Sequence, residues 1–184
     1  MMREILIAGF GGQGVLSIGK TLVEAGLHEG YEVSWVPSYG PEMRGGTANC
    51  AVVISDAPIG SPVVSSPMDL IAMNGPSLTK FEHTVVTGGL VLVNASQTKH
   101  RVSREDLKAF YIPVNEEALK LGNLRVANMV MLGAYIQATG ALKMETIERM
   151  LAQIFTGEKA ALVGLNLQAL RAGAQQVLES AKMG

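Results

Sequence analysis

Apolar residues along the chain fall into short runs separated by stretches of helical spacing. Arg3 to Ala8 is a run of strand length. Val15 to Glu29 follows with apolar residues at Val15, Leu16, Ile18, Leu22, Val23 and Leu27, the spacing of one helix face, and Gly30 closes it. Tyr31 to Val36 reads as a second strand that Pro37 is expected to end. Thr47 to Ser55 reads as a strand stopped by Asp56-Ala57-Pro58, and Gly60 to Val64 as a hairpin or short edge strand. Asp69 to Met73 is a buried strand followed by a short helix from Pro76 to Glu82. Gly88-Gly89 opens the strand Leu90 to Asn94, and Phe110 to Val114 is a last strand. From Glu116 onward the pattern is mostly helical, with breaks at Gly122-Asn123, Gly140 and Thr156-Gly157. Strands alternating with helices predict an α/β fold: a three-layer, Rossmann-like domain over residues 1–184, with a mainly parallel sheet and a helical C-terminal part.

Composition narrows the function. Fifteen Lys and Arg stand against 16 Asp and Glu, so no net field favours nucleic acid or anionic lipid. The basic residues Lys99, His100, Arg101 and Arg104 form too short a group to make a patch. One cysteine, Cys50, excludes an internal disulfide framework and an iron–sulfur cluster ligated by this chain alone. No run approaches the ~20 apolar residues of a membrane span. Met1-Met2-Arg3-Glu4 lacks the shape of a signal peptide, so a cytoplasmic protein is expected. Hydrophobic residues make up 48% and charged ones 17%, which predicts apolar surface covered by partner subunits, and a homodimer when the chain is isolated.

Two glycine-rich segments each follow a strand. Gly9, Gly11, Gly12 and Gly14, with Gln13 among them, have the strand–turn–helix grammar of a dinucleotide loop, in which free N–H groups at a helix start favour anions. An ordinary NAD site wants an acidic residue at the end of the second strand. Trp35-Val36-Pro37-Ser38 stands there instead, and NAD(P) is not expected. The plainer reading of these glycines is close packing of helix on strand. The second segment runs from Ser38 to Gly46. Pro41 fixes one φ, Gly40, Gly45 and Gly46 free others, and Arg44 offers a fork of donors suited to phosphate or carboxylate. A structural ion pair of Arg44 with Glu42 is the alternative. Tyr39 is a contact or stacking aromatic. The two loops are expected to lie side by side at the strand ends, where such sheets bind ligands.

Gly9-Phe10-Gly11-Gly12-Gln13-Gly14-Val15 followed by Ser38-Tyr39-Gly40-Pro41-Glu42-Met43-Arg44-Gly45-Gly46-Thr47-Ala48-Asn49-Cys50 closely resembles the gamma subunits of 2-oxoacid:ferredoxin (acceptor) oxidoreductases. The resemblance continues through Ile59 to Pro62, Asp69 to Asn74, Asn128 to Gly133 and Asn166 to Gly173, nearly the whole chain. It implies a subunit of an enzyme that converts a 2-oxoacid and coenzyme A to acyl-CoA and carbon dioxide while reducing ferredoxin. Thiamine diphosphate with Mg2+ would sit between alpha and beta subunits, and the iron–sulfur clusters in other subunits, among them a delta, ferredoxin-type one. This chain would be an accessory domain, without catalysis of its own, helping to form the coenzyme A side of the site. Gly9, Gly11, Gly12, Gln13, Gly14, Tyr39, Arg44, Gly45 and Gly46 are the candidate binding residues. The spelling from Glu42 to Asn49 looks more like 2-oxoglutarate and branched-chain types than pyruvate types, and 2-oxoglutarate is favoured.

Catalytic groups are otherwise scarce. His28, His83 and His100 lie far apart, and His28 suits the C-terminal dipole of the first helix. No cluster has metal-ligand spacing. Cys50 reads as an inert small hydrophobe in an apolar strand, the methionines at 129, 131, 144 and 150 as helix packing, and Asn128 as a cap or cross-link to a neighbouring loop. The competing function is a free-standing α/β protein that binds a nucleotide or small anionic ligand through the two loops.

Overall fold

The computed structural model describes residues 1–39 and 47–183, without the Tyr39 side chain. Six strands form one sheet: β1 (Met2–Phe10), β2 (Glu32–Tyr39), β3 (Thr47–Ser55), β4 (Asp69–Ala72), β5 (Leu90–Asn94) and β6 (Lys108–Ile112). Their order is β2-β3-β1-β4-β5-β6. Strands β1, β4, β5 and β6 run parallel, as the βα alternation predicts. β3 lies antiparallel between β1 and β2, pairing Phe10 with Thr47 on one side and Tyr39 with Ala48 on the other.

The first two strands are therefore not neighbours. β2 and β3 are antiparallel neighbours, and their Tyr39–Ala48 end still reaches the end of the sheet where β1 finishes. Two expectations change for local reasons. β2 runs through Pro37 to Tyr39, because an edge strand leaves alternate N–H groups without a sheet partner and so accommodates a proline. Gly60 to Val64 forms no strand and belongs to the connection from β3 to β4.

Five helices cover one face: α1 (Val15–His28), α3 (Val114–Lys120), α4 (Ala127–Thr139), α5 (Met144–Ile154) and α6 (Ala161–Lys182). The alternation of β1 and β3 turns Ile5, Ile7, Cys50, Val52 and Ile54 toward them. Among the described residues the other face carries the short α2 (Gly75–Phe81), a 3-10 turn at Glu82–Thr84 and the chain after β5, packed on Leu6, Leu70, Ala72, Val91 and Val93.

α4 is buried from Met129 to Ile136, sandwiched between sheet and α6. Its methionines 129 and 131 are core, as expected. The crossing is close: a Cβ at Gly133 would strike the Leu170 carbonyl oxygen, and one at Gly173 the Val130 carbonyl oxygen. At the amino end of β4 the fully buried Asp69 accepts a hydrogen bond from Tyr135 Oη at 2.8 Å and faces Arg3 Nε at 3.0 Å. Burial pushes the Asp69 carboxyl up, against the opposing pull of Tyr135 and Arg3.

Candidate functional site

The site forms where β1, β4 and β5 end. The glycine loop turns from Phe10 into α1, with Gly12 at φ 91° and Gly14 at φ 76°, conformations that side-chain-bearing residues rarely adopt. Gly9 serves packing: a Cβ there would lie 2.7 Å from Gln13 Oε1 and 2.8 Å from Met73 Cβ. Gly14 is the N-cap of α1, with no side-chain cap, and the first turn of α1 holds no acidic residue. The end of this helix thus offers uncapped positive polarity.

Amide side chains brace the loop. Gln13 Oε1 accepts from Phe10 N at 2.7 Å and from Asn74 Nδ2 at 3.1 Å, and Gln13 Nε2 donates to the Met73 carbonyl at 3.0 Å. Asn74 Oδ1 accepts from Ser77 N at 2.9 Å and so caps α2. Asn94 Nδ2 donates to the same Met73 carbonyl at 3.2 Å and to Asn115 Oδ1 at 3.3 Å. Gln13 is accordingly a strut between β1 and β4, with both amide atoms engaged. Sequence reasoning passed over Asn74, Asn94 and Asn115 as parts of this network. The available signal was an amide closing each buried strand.

Two clefts flank the loop. The first, about 410 Å³, is lined by Gly12, Gln13, Gly14, Ser17, Gln97 and Asn115 on one side and by Arg125 and Asn128 on the other. Arg125 is its one ionisable lining residue, is exposed, and enters no ion pair among the described residues. It was missed because only the fold carries the 3-10 turn at Leu124–Val126 to the start of α1. Asn128 packs on Gly14 and its Oδ1 accepts from Met129 N at 3.0 Å. The second cleft, about 340 Å³, lies on the β3 side and is lined by Phe10, Gly11, Gly12, Gly14 and Ala48 among others. Of the predicted binding residues, the structure brings Gly11, Gly12, Gln13 and Gly14 to the clefts and leaves Gly9 behind them. Arg44, Gly45, Gly46 and the Tyr39 side chain lie outside the described residues, and so does the expected side-by-side placement of the two loops.

The arrangement suits the capture of an anionic group, and among the described residues neither cleft is lined by a Cys, His or carboxylate side chain. Cys50 lies under α1, its thiol donating to the Val15 carbonyl at 3.6 Å, and burial pushes it up to about 11. Among the described residues no group of three His, Cys, Asp or Glu side chains could hold a metal ion, and no helix is long and apolar enough to cross a membrane.

Residues 4–176 match the family model for pyruvate ferredoxin/flavodoxin oxidoreductase. Ketoisovalerate oxidoreductase subunit VorA of Methanothermobacter thermautotrophicus is 44% identical over 96% of this chain, and the chain spans only 37% of that relative's length. 2-Oxoglutarate synthase subunit KorC of Methanothermobacter marburgensis is 36% identical over 99% of this chain and 100% of its own. Among solved structures, the gamma subunit of the keto/oxoacid ferredoxin oxidoreductase of Geobacter sulfurreducens superposes with a TM-score of 0.81 at 28% identity, covering 96% of this chain and 99% of its own. The 2-oxoglutarate:ferredoxin oxidoreductase of Magnetococcus marinus, with 2-oxoglutarate, coenzyme A and succinyl-CoA bound, reaches 0.88 over 97% of this chain and 31% of its own; at 23% identity it speaks for the fold alone. With its sheet order, glycine loop and near full-length match together, the chain belongs to the pyruvate ferredoxin/flavodoxin oxidoreductase family, as a domain of the gamma-subunit type.

Proposed function

We propose that this chain is the gamma component of a thiamine-diphosphate-dependent 2-oxoacid:ferredoxin oxidoreductase, and that its glycine-loop cleft takes an anionic group of coenzyme A. The observation that carries this reading is the cleft itself. An uncapped helix start, a glycine loop without side chains in the way and the lone cation Arg125 converge on about 410 Å³. That volume suits one end of a coenzyme rather than a complete active site. The chain supplies binding and orientation. Oxidative decarboxylation and electron transfer belong to partner subunits carrying thiamine diphosphate, Mg2+ and iron–sulfur clusters, since one buried cysteine ligates no cluster.

For the acid, the spelling of 42–49 favours 2-oxoglutarate, while the higher identity to a ketoisovalerate enzyme supports a branched-chain acid. Both are 2-oxoacids, and the choice is read by assaying the two in parallel.

The test uses the assembled complex. Coenzyme A- and 2-oxoacid-dependent ferredoxin reduction should require this chain together with its partners. Arg125→Ala should raise the KM for coenzyme A about tenfold, the worth of one charge-assisted contact at a partly solvated site, with kcat little changed. Turnover by the isolated chain, or unchanged coenzyme A kinetics in the Arg125 variant, would count against the proposal.

A further inference from the structure

The helices are unevenly shared between the two faces of the sheet. Over β2, β3 and β1, the face away from α1 carries, among the described residues, no helix beyond the reach of α2 to β1. Register fixes what stands there: Val36 beside Ala51 beside Leu6, then Ser38 beside Asn49, then Phe10 at the glycine loop. Val36 is 40% exposed, Ser38 is exposed, and Ala51, Asn49 and Phe10 are half-buried. None of these side chains is charged. The helical side differs, with Lys20, Arg149, Arg171 and Glu179 all exposed on it. A sheet face left to solvent ordinarily alternates toward polar and charged residues, and an exposed edge strand is ordinarily guarded by charge. Among the described residues β2 has Pro37 as its guard and nothing charged on this face from Ser34 onward, while Glu32 on β2 and Glu4 on β1 stand at its other end.

We infer that the uncharged part of this three-stranded face, from Val36, Ala51 and Leu6 to Phe10, docks the catalytic part of the oxidoreductase, the polypeptide equivalent to the remainder of the longer relatives. The inference rests on the proposed function and adds the surface. Two relatives argue for this occupant. In the Magnetococcus protein the same fold is 31% of one polypeptide, and in VorA the matching region is 37%, so there the rest of the protein is tethered to this domain. KorC matches end to end, so the same domain also exists as a separate subunit whose partners must be held without a tether. A face of small, uncharged side chains permits the close approach that such a permanent contact requires. Its upper margin is Phe10, at the start of the glycine loop.

The test is assembly of the full-length chain with its partner subunits. Ala51→Glu and Val36→Glu should leave the isolated chain's circular dichroism unchanged and weaken association at least about thirtyfold, because each buries an unpaired carboxylate. Leu119→Glu, on exposed α3, should assemble as wild type does. Hydroxyl-radical footprinting of the wild-type complex keeps the claim testable should a variant unfold: Phe10 and Val36 should lose most of their reactivity on assembly. Wild-type assembly by variants that remain folded, protection confined to the helices, or variants that disrupt only a homodimer of this chain would each overturn the assignment. Failure of the wild-type chain to assemble at all would instead overturn the proposed function, and the docking claim with it.

Discussion

Replacing Gly14 by alanine separates two costs that the structure places on one residue. At φ 76° any Cβ is strained, and here it would also stand 2.6 Å from Asn128 Cβ. Gly12 supplies the control, for at φ 91° it carries the strain while its added Cβ meets nothing within 4 Å. Left-handed backbone costs an L-residue about 1–2 kcal/mol. Overpacking a fitted contact adds about 1–3 kcal/mol. Gly12→Ala should therefore lose only the first amount and Gly14→Ala the sum. For a chain of 184 residues each kcal/mol lowers Tm by roughly 2–4 °C, so calorimetry on the purified chain resolves the two. The decisive arm is the double variant with Asn128→Gly, since alanine would keep the Cβ that Gly14→Ala strikes. That change alone removes the bond to Met129 N, worth about 0.5–1.5 kcal/mol, and costs about 1 kcal/mol in helix propensity, but in the Gly14→Ala background it also clears the overlap. The cycle should show a coupling of about 1–3 kcal/mol in the direction of rescue. Equal losses for the two glycines, or no coupling, would refute the idea that Asn128 and the α1 start are fitted to each other.

Three further outcomes are expected. Gly173→Ala should lower Tm by several degrees despite alanine's better helix propensity of about 1 kcal/mol, because the obstructing Val130 carbonyl is backbone and has no rotamer to change; a rise in Tm would show that α4 and α6 separate freely. Asp69 has a native carboxyl raised above the ordinary 3.8, so protonation stabilises the fold: its contribution is greatest below 3.8 and is lost as pH rises through the native value. The stability of wild type relative to Asp69→Asn should grow as pH falls across that window, and a constant difference in thermal melts would contradict it. The Cys50 thiol, near 11 and buried, should resist iodoacetamide at pH 8 in the folded chain and react on unfolding; rapid native alkylation would mean that α1 opens locally.

Which parts were legible in the sequence follows from the range of the forces involved. The helix α1 and strands β1, β3, β4 and β5 were readable because period and punctuation are local: Val15 to Leu27 repeats at helical spacing, and Gly30 and Gly88 mark the turns with positive φ. Strand direction was not local. Nothing within Thr47 to Ser55 states that it pairs antiparallel with β1, since a buried strand has similar composition in either sense. Pro37 misled for the same reason, because a proline ends a central strand but not an edge one, and edge position belongs to the whole sheet.

The site divides in the same way, and the division bears on how it works. The glycine loop announced itself, whereas its supports, Asn74 after β4, Asn94 at the end of β5 and Asn115 in α3, meet only after the parallel strands align. Every carbonyl or amide that Gln13 engages is thereby fixed before any ligand arrives, and the α1 N-terminus is aimed by this lattice rather than by the ligand. A loop held so firmly has little ordering entropy left to lose on binding. Affinity then depends on what completes the cleft, which from the helical side is Arg125.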